Sequence, residues 1–172
     1  MGQGRGLLLT RALAAVALAG LFATSAAAAI KVGDAFPDLA SFKVEGKLPE
    51  SLKDKVVLID FWASWCDPCK ESFPVMDDLQ KRYGPKGLVI IAVNVDEDRQ
   101  EMEDFLKKHA PSPSFTLVRD ATQKLVEKAG IATMPGSFLL DRQGKVRFVH
   151  NGYRGPETKK KYEQEIESLV RK

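Results

Sequence analysis

Hydrophobic positions along this chain fall into two kinds of pattern. Val56-Val57-Leu58-Ile59 and the run from Leu88 to Val95 are continuous apolar stretches rich in β-branched residues. Runs of that length predict strands buried on both faces, as in a sheet covered by helices. Between them, Phe73, Met76, Leu79 and Tyr83 recur at three- and four-residue spacing. That period predicts a helix with one apolar face, starting at the Cys pair and running to about Tyr83. Pro74 sits inside it and should kink it, because proline removes a backbone donor. Gly84-Pro85 ends it. Two strands with a helix between them make a βαβ unit, which closes right-handed.

The remaining pattern adds an insertion and a closing unit. Met102, Phe105, Leu106 and His109 line one face of a second helix, followed by the loop Ala110-Pro111-Ser112-Pro113-Ser114 and a short strand over Phe115 to Val118. Asp120 can cap a further helix that closes at Gly130. Ser137 to Leu140 and Lys145 to His150 read as strands joined by the hairpin signal Asp141-Arg142-Gln143-Gly144. Pro156 to Val170 predicts a last helix with Tyr162, Ile166 and Leu169 inward. The front stretch from Phe36 to Lys55 alternates irregularly and holds Gly46 and Pro49, which fits a short hairpin or an irregular cover. The order is βαβ, an inserted α-β-α stretch, then ββα: an α/β sandwich.

The first residues change the picture of where the chain works. Arg5 and Arg11 form a positive leader, Ala12 to Phe22 is apolar, and Ala26-Ala27-Ala28-Ala29 offers small-x-small cleavage frames. A cleaved signal peptide over residues 1–29 is expected, leaving one domain over 30–172 that begins near Ile30 or Lys31. An uncleaved anchor is the alternative, since Ala12 to Ile30 is nearly long enough to span a bilayer. Export places the protein in a periplasmic or otherwise extracytoplasmic compartment. Of 172 residues, 44% are hydrophobic and 28% charged, as in an ordinary globular chain. The net charge is +3; without Arg5 and Arg11 it is 24 cations against 23 anions, or +1. Nucleic-acid binding needs a concentrated basic face, and this balance offers none. Lys159-Lys160-Lys161 reads as a solvated helix face.

The chain has two cysteines, Cys66 and Cys69, three apart. In an exporting compartment such a pair is oxidisable. At a helix start the first sulfur lies near backbone N–H groups and the positive end of the dipole, which stabilise the attacking thiolate. The second sulfur, one turn on, can attack a mixed disulfide and release the product. Pro68 fixes the first turn, where a missing N–H costs little. A structural disulfide or half a zinc site are the bland readings; zinc would need further ligands, and only His109 and His150 are on offer. Asp60, ending a buried apolar strand, is costly to bury unless neutral or paired.

These residues carry a resemblance. Val57-Leu58-Ile59-Asp60-Phe61-Trp62-Ala63-Ser64-Trp65-Cys66-Asp67-Pro68-Cys69-Lys70 resembles the active-site strand and loop of the thioredoxin superfamily. The likeness continues through Pro74, Leu88 to Asp96, Gly130-Ile131, Met134-Pro135 and Phe138 to Asp141. The leader, front segment and long stretch between Asp96 and Gly130 resemble the TlpA/ResA branch of exported thioredoxin-like proteins. The resemblance implies a thioredoxin-like three-layer sandwich, a central mixed sheet flanked by helices, with an extra N-terminal hairpin and a central α-β insertion. It implies a thiol–disulfide oxidoreductase, a disulfide-bearing protein substrate and a membrane-embedded thiol donor; no cofactor is expected, and a monomer is the default. Cys66 would be the nucleophile, Cys69 the resolving thiol, Pro135 the cis-proline beside the disulfide, and Asp60 the proton shuttle to Cys69. Trp65, Asp67, Pro68 and Met134 would form the substrate surface, with Met134 offering its backbone to an incoming strand. Trp62 is more suited to core packing.

Departures from the pattern are equally specific. An apolar residue, about Ala92, stands where thioredoxins place a Lys near the buried Asp. Ser72 stands where the ResA-like branch carries a Glu, with Glu71 adjacent. Gly136 follows the cis-proline position, where Thr or Ser is more usual, an exchange that would widen the groove. Asp67 and Asp60 both disfavour a thiolate, which points to a reductase rather than an oxidase. A peroxiredoxin-like peroxidase would need a Thr where Ala63 stands. A Cu(I)-delivering protein would use Cys66, Cys69 and a His, for which His150 is a candidate.

Overall fold

The computed structural model describes residues 29–171, so the expected leader lies outside the described residues save for Ala29. Five strands form one sheet in the order β3-β2-β1-β4-β5. They are β1 (Val56–Trp62), β2 (Leu88–Asn94), β3 (Thr116–Arg119), β4 (Gly136–Leu140) and β5 (Val146–Asn151). Pairing is parallel for β1–β2 and β2–β3, antiparallel for β1–β4 and β4–β5. The helices are α1 (Asp67–Tyr83), α2 (Arg99–His109), α3 (Lys124–Ala129) and α4 (Pro156–Val170). This is the α/β sandwich the pattern predicts and the mixed, helix-flanked sheet the resemblance implies.

All seven residues of β1 are buried, as the continuous apolar run requires. Alternation sends Leu58, Asp60 and Trp62 to one face and Val57, Ile59 and Phe61 to the other. On the first face Trp62 meets Phe73 of α1 and Phe105 of α2, with ring centroids 4.7 and 4.8 Å apart. Tyr162, Ile166 and Leu169 of α4 are buried as well. Helix α1 runs through Pro74, whose ring is exposed. On the second face Phe61 and Phe36 both pack on Phe138. Aromatic contacts of this kind add about 0.5–1.5 kcal/mol each beyond burial. Asp120 does cap α3, but from a distance: its Oδ2 accepts from the N–H groups of Leu125 and Val126, and Gly130 closes the helix at φ +70°.

The front segment is not a hairpin. It holds a short 3₁₀ turn, Leu39–Phe42, and makes two isolated bridges, Ala35 with Lys145 and Glu45 with Arg119. Pro37 and Pro49 lack donors, and Lys43 and Gly46 adopt left-handed backbone at φ +53° and +113°, so no ladder can propagate. It is the irregular cover. Among the described residues no helix is long and apolar enough to cross a membrane.

Gly46 is the tightest point of this cover. A Cβ there would stand 2.8 Å from the Leu117 carbonyl oxygen, at a φ that side chains avoid. Gly46→Ala should therefore cost about 1–3 kcal/mol, read as a lowered urea midpoint at unchanged slope.

Candidate active site

The C-terminal end of β1 delivers the cysteines. After Trp62 the chain turns, and the N–H of Cys66 donates to the Ala63 carbonyl at 3.1 Å. Cys66 is the N-cap of α1, extended at φ −88° and ψ 102°, with Pro68 in the first turn. Cys69 follows one turn on, and the two sulfurs are joined in a disulfide with Cα atoms 5.4 Å apart. What little surface the pair shows belongs to Cys66; Cys69 is fully buried. The first sulfur thus sits at the positive end of a 17-residue helix, where a thiolate is stabilised.

The two tryptophans divide their roles by exposure. Trp62 is fully buried, whereas Trp65 is 66% exposed, a large apolar side chain left in solvent beside the sulfur. Asp67 is exposed and bound to Lys70, and that hydrogen bond and charge hold its carboxyl below the usual range. Met134 is half-buried and joined to Pro135 by a cis peptide bond. The Pro135 carbonyl accepts from the N–H of Gly152 at 2.7 Å, which ties the β5–α4 loop to the proline. Trp65 and Met134 line one groove of about 590 Å³ with Val126 and Ile131, rimmed by Glu97, Asp98 and Glu101. Gly136 does not widen it. A Cβ at Gly136 would come within 2.8 Å of Ile131 Cδ1 and 3.0 Å of the Thr133 carbonyl, so the space is already filled.

Asp60 lies on the sheet face that α1 covers. Its strand partners are Ala92 and Ser137, neither a cation. Ser72, at the position expected for a Glu, is buried and donates to the Cys69 carbonyl at 3.1 Å. Asp60 is 1% exposed, and its Oδ2 is a buried atom without a hydrogen-bond partner; the Trp62 Nε1, two residues along the same face, is another. Burial alone pushes the Asp60 carboxyl up to about 8. It is therefore mostly uncharged at neutral pH and does little to repel a thiolate, which corrects the sequence-based argument. Lys70 weakens the same argument for Asp67.

A polar cluster that the sequence did not single out stands directly behind the cysteine turn. Asp96 is 2% exposed, and its carboxylate accepts from the Ser64 N–H, the Ser64 hydroxyl and the Asn94 side chain. Arg119 donates to the carbonyls of Asp96 and Glu97 and forks onto the Glu45 carboxylate. The readable signal was the polar residue ending the second apolar strand, the counterpart of Asp60 on the first. Farther off, Ser137 and Tyr162 pair their hydroxyls at 2.9 Å. His150 is engaged with α4: its Nε2 lies 2.7 Å from Glu165 and its ring stands edge-on to Tyr162. Among the described residues no group of three or more His, Cys, Asp and Glu side chains is placed to hold a metal ion.

The buried acid makes a pH signature. In the unfolded chain Asp60 loses its proton near pH 4; in the folded chain it does so only near pH 8. Between these values the native state binds the extra proton, so stability falls as pH rises, and the loss is complete above pH 8. At ~1.4 kcal/mol per unit the ceiling is about 6 kcal/mol, and structural relaxation on ionisation lowers it. Urea unfolding of the disulfide form should show stability dropping by about 2–4 kcal/mol from pH 5 to pH 8.5. Asp60→Asn should remove that slope.

Comparison with known proteins agrees with this geometry. The family model described as Redoxin matches residues 31–166. The thiol-disulfide oxidoreductase ResA of Geobacillus thermodenitrificans is 32% identical over 165 residues, covering 95% of this chain and 91% of its own. A crystal structure from Chlorobium tepidum, described as a thiol:disulfide interchange protein DsbE, superposes with TM-score 0.75 at 37% identity over 83% of this chain and 99% of its own. The exposed lipoprotein thioredoxin Etrx1 of Streptococcus pneumoniae superposes with TM-score 0.59 at 26% identity, covering 69% of this chain and 87% of its own. With a Cys-x-x-Cys disulfide at the head of a helix on a thioredoxin-like sheet, the chain belongs to the redoxin family and is a ResA-like thiol–disulfide oxidoreductase.

Proposed function

We propose that this oxidoreductase works outside the cytoplasm as a reductase of particular exported proteins, with Cys66 attacking and Cys69 resolving. The observation that carries the reading is the placement of the pair: Cys66 at the N-cap of α1, Cys69 buried behind it. In the reduced protein the Cys66 thiolate attacks one sulfur of a substrate disulfide, forming a mixed disulfide and releasing the other substrate sulfur as a thiolate. The Cys69 thiol then gives up its proton and attacks the Cys66 sulfur, which releases the second substrate thiolate. Two electrons have moved to the substrate, and the Cys66–Cys69 disulfide remains. A thiol donor must return two electrons to reopen it; a membrane-embedded one suits an exported protein.

Asp60 supports the second step. An acid titrating near 8 lies close to a thiol's ordinary ~8.5, so proton exchange between them is nearly balanced. At neutral pH Asp60 is largely protonated, and its ionised form is the one that accepts the Cys69 proton. Trp65 and Met134 supply an apolar platform beside the sulfur, with Asp67 and Pro68 between the two cysteines. The leader over residues 1–29 supports export, and the family resemblance favours the cysteines of apocytochrome c or of copper sites as substrates. The reductive direction follows the family resemblance; Asp67, the charged group between the sulfurs, adds little to it because Lys70 is bound to it.

Two measurements test this. Equilibrated with dithiothreitol or glutathione and followed by Trp fluorescence, the pair should titrate near the thioredoxin range, roughly −270 mV; a value near roughly −120 mV would make it an oxidase. Cys69→Ser should accumulate a mixed disulfide with its substrate through Cys66, while Cys66→Ser should fall to the uncatalysed background. Trapping through residue 69 in the Cys66→Ser variant would reverse the two roles.

A further inference from the structure

We infer that Asp96 is a positioning residue for the redox site: it fixes the turn that presents Cys66 to the end of α1. The inference rests on the reading of Cys66 as the attacking thiol. Four residues connect β1 to α1, Ala63 through Cys66, and among the described residues the one charged side chain hydrogen-bonded to them lies just past the end of another strand. Asp96 sits two residues beyond β2, which runs parallel to β1 and pairs Trp62 with Asn94. The Val95 N–H donates to the Trp62 carbonyl at 3.0 Å, which continues that pairing to the point where the two chains diverge. There the Asp96 carboxylate takes the Ser64 N–H on both oxygens, at 3.0 and 3.1 Å, and the Ser64 hydroxyl at 3.2 Å.

Ser64 is the second residue of the turn closed by the Cys66 N–H on the Ala63 carbonyl. Holding its backbone from the side therefore fixes where Trp65 projects and where the Cys66 sulfur meets the helix N-terminus. The stabilisation of a thiolate by a helix end falls off within one turn, so a small displacement of this sulfur removes much of it.

Asp96 is itself held. The Asn94 amide donates to its Oδ2 at 2.7 Å, and the Asn94 carbonyl oxygen of the side chain accepts the Asp96 N–H at 3.1 Å. The Arg119 guanidinium grips the Asp96 and Glu97 carbonyls at 3.1 and 2.9 Å while Glu45 binds its other edge. A carboxylate accepting bonds at four points and anchored through a planar fork keeps one geometry. This is more than a buried acid needs for solvation alone, because every bond on the turn side ends on the single residue Ser64.

The test uses the reduced full domain and reads Cys66 directly. Iodoacetamide alkylation at pH 7 with peptide mapping gives the rate at each sulfur, absorbance at 240 nm gives the thiolate content, and urea unfolding confirms a folded state. In Asp96→Asn, alkylation of Cys66 should slow about tenfold, because the amide presents a donor toward the Ser64 N–H. Ser64→Ala, which loses only the hydroxyl bond, should slow it about threefold, and Ser64→Thr should recover most of that loss. A wild-type rate and thiolate content in folded Asp96→Asn would overturn the inference. So would a faster rate, since removing a negative charge that acted on the sulfur through space would favour the thiolate. Should Asp96→Asn fail to fold, the Ser64→Ala and Ser64→Thr pair decides, and equal rates in both would overturn it. Preferential alkylation of Cys69 in the unmodified protein would instead refute the assignment of Cys66 as the attacking thiol.

Discussion

Everything at this site depends on the full burial of β1. A strand covered on both faces has no exposed side chain to work with until it leaves the sheet. The first residues past Trp62 are therefore the place where reactive groups can meet solvent. Burial also fixes the direction of departure. Trp62, wedged between Phe73 and Phe105, locks the strand end to α1 and α2, so the helix bearing Cys66 and Cys69 starts from an immovable point. Truncating an aromatic ring in such a cluster costs about 3–5 kcal/mol, a large part of a domain's total stability.

Three carboxylates surround the disulfide in three environments, and each behaves differently. Asp67 is in water with a lysine and stays ionised. Asp60 is buried with its Oδ2 unpartnered and no cation beside it on the neighbouring strands, and it keeps its proton to about pH 8. Asp96 is equally buried but saturated with donors. One residue type yields a solvated charge, a proton store and a rigid fixture, and the distinction lies in partners rather than in the amino acid.

The strands, the helix faces, the reactive pair and Pro135 were legible in the sequence because each leaves a local mark: a run, a period, a spacing or a familiar neighbour. What was not legible is pairwise and long-range. That Arg119 reaches back 74 positions to Glu45, or that Asp96 grips Ser64 from 32 away, follows from register between strands and leaves no pattern in either segment. The front segment misled for a related reason. Its alternation was compatible with strands, but Lys43 and Gly46 take left-handed turns that composition does not announce. Gly136 also read as an open space, whereas Ile131 fills it.

The front segment has one more consequence. Its bridges fall on the two outer strands of the sheet: Glu45 exchanges both backbone bonds with Arg119 on β3, and Gly33 to Phe36 bond to Gly144 and Val146 at the start of β5. Outer strands are where a second chain can add by hydrogen bonding and begin an aggregate. A thiol–disulfide oxidoreductase meets other protein chains at close range. By touching both margins with one irregular, non-propagating segment, this fold blunts them against added strands and leaves the groove between Trp65 and Met134 open.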